Sequence, residues 1–338
     1  MRITDASYGS NEDGLIWGYR FLPDQPAEPI DTRAVADFLA APADGDGRGF
    51  LWLHFSLSNT GSERYLHRTL ELPDAFYDSL RSEVGSTRLE LDDGALIAVI
   101  HDVLFDSSFD ASEVGTTSLC IGPRLLVSAR LRPLRSVDQL RAAVRSGQSF
   151  RSPVELLAHL LRDQASVLGE ILRKSTTQVD RIEDRLLANR ISTDRTQLGT
   201  LRRSLVRLQR LLAPEPTALF RLLNRPPDWI DQDDIQDLQQ AAEEFSTAIG
   251  DSAALVERVK LIQEELAALV NEQTGRTLFV LTVVTVLALP INLIAGLFGM
   301  NVGGMPLAEN GHGFWTVVVA LFVLTAILAY AAFGRRRD

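Results

Sequence analysis

Two uncharged runs near the C-terminus restrict this chain more than any other feature. Thr277 to Met300 holds no charged side chain, and its only polar ones are Thr277, Thr282, Thr285 and Asn292. Phe314 to Phe333 is likewise uncharged. Each run is long enough to cross a hydrocarbon core, which takes about 20 apolar residues. Buried helices of a soluble core are the alternative, but two such runs side by side are rare in soluble folds. Composition alone does not reveal them: 46% hydrophobic over 338 residues is an ordinary globular value. That length allows about two domains.

The flanking charges give the runs a direction. Arg276 precedes the first, and Arg335, Arg336 and Arg337 follow the second. The connection, 301–313, carries Glu309 and His312 but no Lys or Arg. The positive-inside rule then puts both chain ends in the cytoplasm and the connection outside. The opening "MRITDASYGSNEDGL" has neither a basic n-region nor an apolar h-region. Residues 1–276 are therefore expected to be cytoplasmic. Cys120, the single cysteine, excludes an intrachain disulfide framework and a Cys-based zinc site.

Residues 1–150 read as mixed α and β. Strand-like segments are 15–21, 49–57, 95–105, 116–122 and 124–130, short and rich in β-branched and aromatic residues. Segments 31–40, 73–82 and 135–147 have helical periodicity, with Asp31 and Ser136 as expected N-caps. Together they predict one α/β layer domain. It contains no Gly-rich phosphate loop and no local Ser-His-Asp or Cys-His signature, so an enzyme is not expected.

From Ser152 onward the pattern is helical, and 151–276 reads as a helical stalk region. Ser152 caps a helix over 152–190, with Pro153 at its first position. A second helix starts near Thr193 and is bent or broken at Pro214 and Pro216. "NRPPDW" at 224–229 is a stop. A third helix starts near Asp231, and apolar residues recur along it at spacings of three and four: Ile235, Leu238, Ala242, Phe245, Ile249, Val256, Val259, Leu266 and Val270, with Ser252 and Gln263 as misses. The plain reading is a coiled-coil stalk. The same phase runs on into the first apolar run through Val280, Val284, Leu287, Ile291, Ile294 and Phe298. That favours one helix from stalk to membrane, about 105 Å long at 1.5 Å per residue.

Charge is uneven. Residues 228–272 hold twelve acids against Arg258 and Lys260, while residues 151–225 hold fourteen Lys and Arg against eight acids. Two readings stand: helices that attract one another, or an acidic stalk that concentrates cations at a pore mouth. The basic helices alternate with acids and lack interleaved aromatics, so nucleic acid is not an expected partner.

Within the first run, Leu278, Leu281, Thr285, Leu289, Asn292 and Gly296 share one helix face. Two spans cannot enclose a pore, but several copies with this face inward would line a narrow one. Apolar rings would gate it by dewetting, and hydroxyl and amide rings would meet a hydrated ion. Ordinary helix packing of the same face is the equal alternative. Thr282, Thr285 and Asn292 are expected to face protein or water. Pro290 should free the Val286 carbonyl and bend the helix.

The first run closes on Gly299-Met300-Asn301. This tripeptide, its place before a short loop and a second span, the basic C-terminus and the long pre-membrane helix together resemble the CorA superfamily of divalent metal ion transporters. "GMNVGGMPLAENGHGFW" at 299–315 is similar to the ZntB-type zinc transporter branch, which has Gly-Gly after the tripeptide. The resemblance implies a funnel-shaped homopentamer in a bacterial inner membrane, with the first span, 277–300, lining the pore and 314–333 as the second span. It implies that Gly299, Met300 and Asn301 form the selectivity motif, with Asn301 offering a ring of amide oxygens. It implies Zn²⁺ as cargo, with Mg²⁺ or Co²⁺ as the alternative within the superfamily, no bound cofactor, and proton coupling. Glu309 and His312 are the loop groups able to attract a cation, or simply solvated side chains. His312 is a candidate pH sensor. Cytoplasmic metal-binding acids are not identifiable from sequence. A membrane-anchored coiled-coil scaffold without a pore is the competing class of function.

Overall fold

The structure is a computed structural model that describes residues 9–23, 25–41, 49–81, 87–104, 114–188, 194–300 and 311–334. It divides into two compact units, Met1–Ile262 and Gln263–Asp338. The change from mixed to helical structure near residue 150 therefore falls inside the first unit.

That unit is built on a seven-stranded sheet. Its strands are β1 (Leu15–Phe21), β2 (Glu28–Pro29), β3 (Phe50–Ser56), β4 (Arg88–Asp92), β5 (Ala95–Val103), β6 (Val114–Ile121) and β7 (Leu125–Arg130). They lie in the order β2-β1-β3-β7-β6-β5-β4. The β3–β7 pair is parallel and the other neighbours are antiparallel. Alternation along each strand sends successive side chains to opposite faces. Phe50 and Trp52 of β3 join Trp17, Leu96, Leu119 and Leu126 on one face. Leu51, Leu53 and Phe55 join Ile97, Cys120 and Val127 on the other.

Helices cover both faces. The second face carries α1 (Thr32–Ala40), α2 (Thr60–Thr69) and α3 (Asp74–Arg81), through Val35, Leu66 and Phe76. The first face carries α4 (Arg135–Arg145), α5 (Pro153–Leu187), α7 (Pro214–Leu223) and the start of α8 (Gln232–Phe298), through Leu140, Leu157, Leu219 and Leu238. Between α5 and α7 runs α6 (Asp194–Leu212), and the second unit adds α9 (Gly313–Gly334).

Several expectations hold at the residue level. Asp31 caps α1 through Thr32 N at 2.7 Å. Ser152 caps α5 through Glu155 N at 2.9 Å, with Pro153 at the first helical position. Replacing Ser152 by alanine should cost about 1 kcal/mol, measured as a lower thermal midpoint of the full-length protein. The helix after Thr193 ends at Leu212, and a new one starts at Pro214.

Other expectations are corrected. Ser136 is not the N-cap of α4. Leu134 holds that position without a side-chain bond, and Asp102 of β5 does the capping instead, accepting from Ser136 N at 2.7 Å and Ser136 Oγ at 2.8 Å. Strand β4 was not expected. Its signal is Asp93-Gly94, both at positive φ, a two-residue turn between the paired Asp92 and Ala95. Helix α2 was missed as well; Asn59 caps it through Gly61 N at 2.8 Å. Gly14, with φ of +79°, admits no side chain, because a Cβ there would lie 1.8 Å from Ser62 Oγ.

The coiled-coil reading of the third helix also changes. Leu238, Ala242, Phe245, Val259 and Leu266 are buried by the chain itself, while Ile235, Ile249, Val256 and Val270 are half-buried, so the chain covers much of the stripe without a second copy. Ser252, a miss in the heptad pattern, is fully buried too. Charge pairing joins these helices in both senses. Arg151 pairs with Asp234 and Asp237, while Arg258 of α8 pairs with Asp180 and Glu183 of α5.

Candidate ion path and a buried acid cluster

Helix α8 continues without interruption through Pro290 to Phe298. Proline lacks the N–H that would meet the Val286 carbonyl, so that acceptor loses its intrahelical bond. In the apolar part of α8 the burial is one-sided. Val283 is buried, while Leu278, Leu281, Thr285, Leu289, Asn292 and Gly296 are all exposed, Leu289 at 68%. The face singled out from sequence is thus opposite the one this chain covers. Among residues continuing the heptad phase, Leu287, Ile291 and Ile294 are half-buried on the covered side, while Val280, Val284 and Phe298 are exposed.

The threonines in the run satisfy their own donors. Thr282 Oγ1 donates to Leu278 O at 2.8 Å, and Thr285 Oγ1 to Leu281 O at 2.9 Å. No neighbouring protein or water is needed for that proton, which relaxes the expectation drawn from polarity alone. The Thr285 oxygen keeps acceptor capacity on the exposed face. A Cβ on Gly296 would meet nothing within 4 Å, whereas one on Gly299 would approach Ala295 O at 3.1 Å. Gly299 N donates to that carbonyl at 2.9 Å, and Met300 N donates to Leu297 O at 3.4 Å. The last turn therefore closes tightly over Gly299, and half-exposed Met300 follows it. Asn301 and Glu309 lie outside the described residues. His312 is exposed, and its carbonyl accepts from Thr316 N and Thr316 Oγ1, both at 3.1 Å, at the start of α9.

In the first unit, sequence reasoning missed a buried polar cluster where β5 meets α5 and α7. Glu215 of α7 is 2% exposed and accepts from His101 N at 2.7 Å. His101 Nδ1 lies 3.1 Å from Thr87 Oγ1 and 3.8 Å from Glu215 Oε1. Gln164 of α5 donates to His101 O. Glu215 Oε2, Asp163 Oδ2 and Gln164 Oε1 have no hydrogen-bond partner among the described residues. Burial pushes Glu215 up to about 7, against the hydrogen bonds from His101. Burial pushes Asp163 up to about 7, and the charge of Asp102 adds to it. Asp102, raised by burial to about 6, is held back by the Ser136 bonds that make it a cap. The signal was present in the sequence as "HD" inside the apolar strand "ALIAVIHDV".

A second buried set fixes a tautomer. Arg130 Nε donates to His54 Nε2 at 2.7 Å, so His54 Nδ1 carries the proton and faces Ser128 Oγ at 2.7 Å. Trp17 stacks on His54 at 4.0 Å. Burial, then Arg130 and Arg141, hold the imidazole well below its ordinary value, so it is neutral. This is a packed core, closed to substrate. Among the described residues no three His, Cys, Asp or Glu side chains gather into a group able to hold a metal.

Both apolar helices have the length and composition to cross a membrane. Comparison with known proteins agrees with this architecture. The chain matches the family described as "CorA-like Mg2+ transporter protein" over residues 47–335. "Divalent cation transporter CmaX" of Pseudomonas aeruginosa is 28% identical over 316 residues, 92% of each chain. "Zinc transport protein ZntB" of Pectobacterium atrosepticum is 25% identical over 280 residues, 82% of this chain and 85% of the relative. The structure of full-length CmaX superposes with a TM-score of 0.81 at 26% identity, covering 98% of this chain and 100% of that one. The CorA magnesium transporter from Methanocaldococcus jannaschii shares the fold, with a TM-score of 0.72 at 20% identity over 93% and 96% of the two chains. An α/β unit, a long helix and two C-terminal apolar helices, matched by one family over most of the chain, make this protein a member of the CorA superfamily of divalent-cation transporters, and not an enzyme.

Proposed function

We infer that this chain assembles as a homopentamer in a bacterial inner membrane, with both ends cytoplasmic, and carries Zn²⁺ inward through a central pore lined by α8. The observation that carries the reading is the wholly exposed, uncharged face of Leu278, Leu281, Thr285, Leu289, Asn292 and Gly296. A helix face left bare by its own chain needs a partner. A face of alternating apolar and hydroxyl or amide groups suits a hydrated cation passing through a closed ring. The absence of charge keeps the ion from binding too tightly to leave. Asn301 is assigned to the outer mouth, with Gly299 allowing the close turn before it. Glu309 and His312 are assigned to drawing cations toward that mouth. Neither a bound cofactor nor nucleic acid enters the scheme.

Zinc is favoured over magnesium by Gly303-Gly304 after the tripeptide, and by the ZntB relatives. The test is dye-reported uptake into liposomes, with Zn²⁺, Mg²⁺ and Co²⁺ compared with and without a pH gradient. Zn²⁺ uptake that responds to the gradient is expected. Mg²⁺ uptake without Zn²⁺ uptake would reject the cargo, and Asn301→Ala with unchanged flux would reject the mouth assignment.

A further inference from the structure

Helices α5 and α6 enclose a groove of about 770 Å³ that the transport reading does not use. Its floor is apolar, formed by the buried Ile171, Ile182 and Leu205. Its α5 wall presents Lys174, Arg181 and Arg185, and its α6 wall presents Thr196, Thr200 and Ser204. Among the described residues no carboxylate lines it. That is unexpected on α5, which carries Asp180, Glu183 and Asp184 among these same cations. Asp180 and Glu183 turn to Arg258 of α8, away from the groove. Lys174 is shared with Glu170, and Arg181 makes no ion pair among the described residues.

The groove's chemistry is that of a phosphate chain. Guanidinium groups match phosphate oxygens two at a time, and hydroxyls donate to the oxygens left over. Residues 196, 200 and 204 repeat every fourth position, about 6 Å apart, so the hydroxyls form a ladder along the groove. Lys174 and Arg185 stand about 16 Å apart along α5. That is more than one tetrahedral anion spans, and the volume falls within the range of small-molecule sites. We propose that the α5–α6 groove binds a small anion carrying a triphosphate chain, with Arg181 and Arg185 gripping the phosphates and Thr196, Thr200 and Ser204 completing their shell. The site does not depend on the identity of the transported cation.

The test is calorimetric titration of the full-length protein in detergent, in Mg²⁺-free buffer so that no cargo ion bridges the anion. The probes are ATP, inorganic tripolyphosphate, AMP and sulfate. Saturable ATP and tripolyphosphate binding of similar strength supports the chain itself as the recognised group; ATP binding with weaker tripolyphosphate binding adds a contribution from the nucleoside. Arg181→Ala and Arg185→Ala should each weaken binding about tenfold or more, the loss expected for one charge-assisted pair. Thr200→Val should weaken it less. All three positions lie on the groove wall, so unchanged thermal midpoints will show that the variants fold. No saturable binding at millimolar ATP or tripolyphosphate would overturn the proposal. So would sulfate or AMP binding as tightly as ATP, or arginine variants that titrate like the parent.

Discussion

Replacing Leu289 by lysine is expected to lower divalent-cation flux at least about a hundredfold while leaving the protein assembled. Leu289 is the most exposed of the three leucines on the proposed pore face. In a ring of copies, each lysine within about 5 Å of a dication opposes it by about 1.7 kcal/mol even at the dielectric constant of water. Several such charges sum to well over the 2.8 kcal/mol or so that a hundredfold change requires. Leu289→Asn keeps the ring neutral and should retain flux. The measurement is liposome uptake, with chromatography of the same samples to confirm the oligomer. An assembled Leu289→Lys variant with parental flux would mean that this face packs against protein or lipid, and that the path lies elsewhere.

The second large effect concerns the acid cluster. Glu215 has an ordinary value of 4.5, raised to about 7 by burial. The folded chain holds the neutral form, so its contribution to stability is whole below a pH of about 4.5 and is lost as pH rises through about 7. The loss is on the order of 3 kcal/mol. Asp163, raised in the same direction to about 7, adds to the slope. A glutamine in place of Glu215 could still accept from His101 N but could not ionise. The thermal midpoint of Glu215→Gln should therefore match the parent near pH 5 and exceed it by several degrees at pH 8. Parallel midpoint curves for the two proteins would show that Glu215 is solvated or otherwise paired when ionised.

How much was legible follows from which interactions are local. Composition located five strands: Phe50 to Ser56, for example, is a short aromatic and aliphatic run bounded by Gly49 and Asn59. Helix starts at Asp31 and Ser152 were legible because a cap bonds to its own first turn. Ser136 misled for the opposite reason: its partner is Asp102, thirty-four residues earlier, and no local rule reaches that far. The exposed face of α8 was legible as a helical face, yet its exposure, and the burial of Val283 across from it, needed coordinates. The acid cluster was visible only as an oddity, an Asp in a strand of apolar residues.

By itself the sequence determined what near-neighbour chemistry determines. That includes two long uncharged spans, a helix more than sixty residues long, and capped helices. Tertiary structure decided what depends on distant partners. It turned much of the heptad stripe of α8 inward onto its own chain, with Leu238 and Ala242 joining the core under the sheet. It also brought Asp163 and Glu215 close enough to feel the charge of Asp102, and burial raises all three. On α5 it turned Asp180 and Glu183 toward Arg258, away from a groove lined by Lys174, Arg181 and Arg185. The physical reason is the same in each case: hydrophobic burial and electrostatics act through space, and sequence spacing reports them only where neighbours in space are also neighbours in the chain.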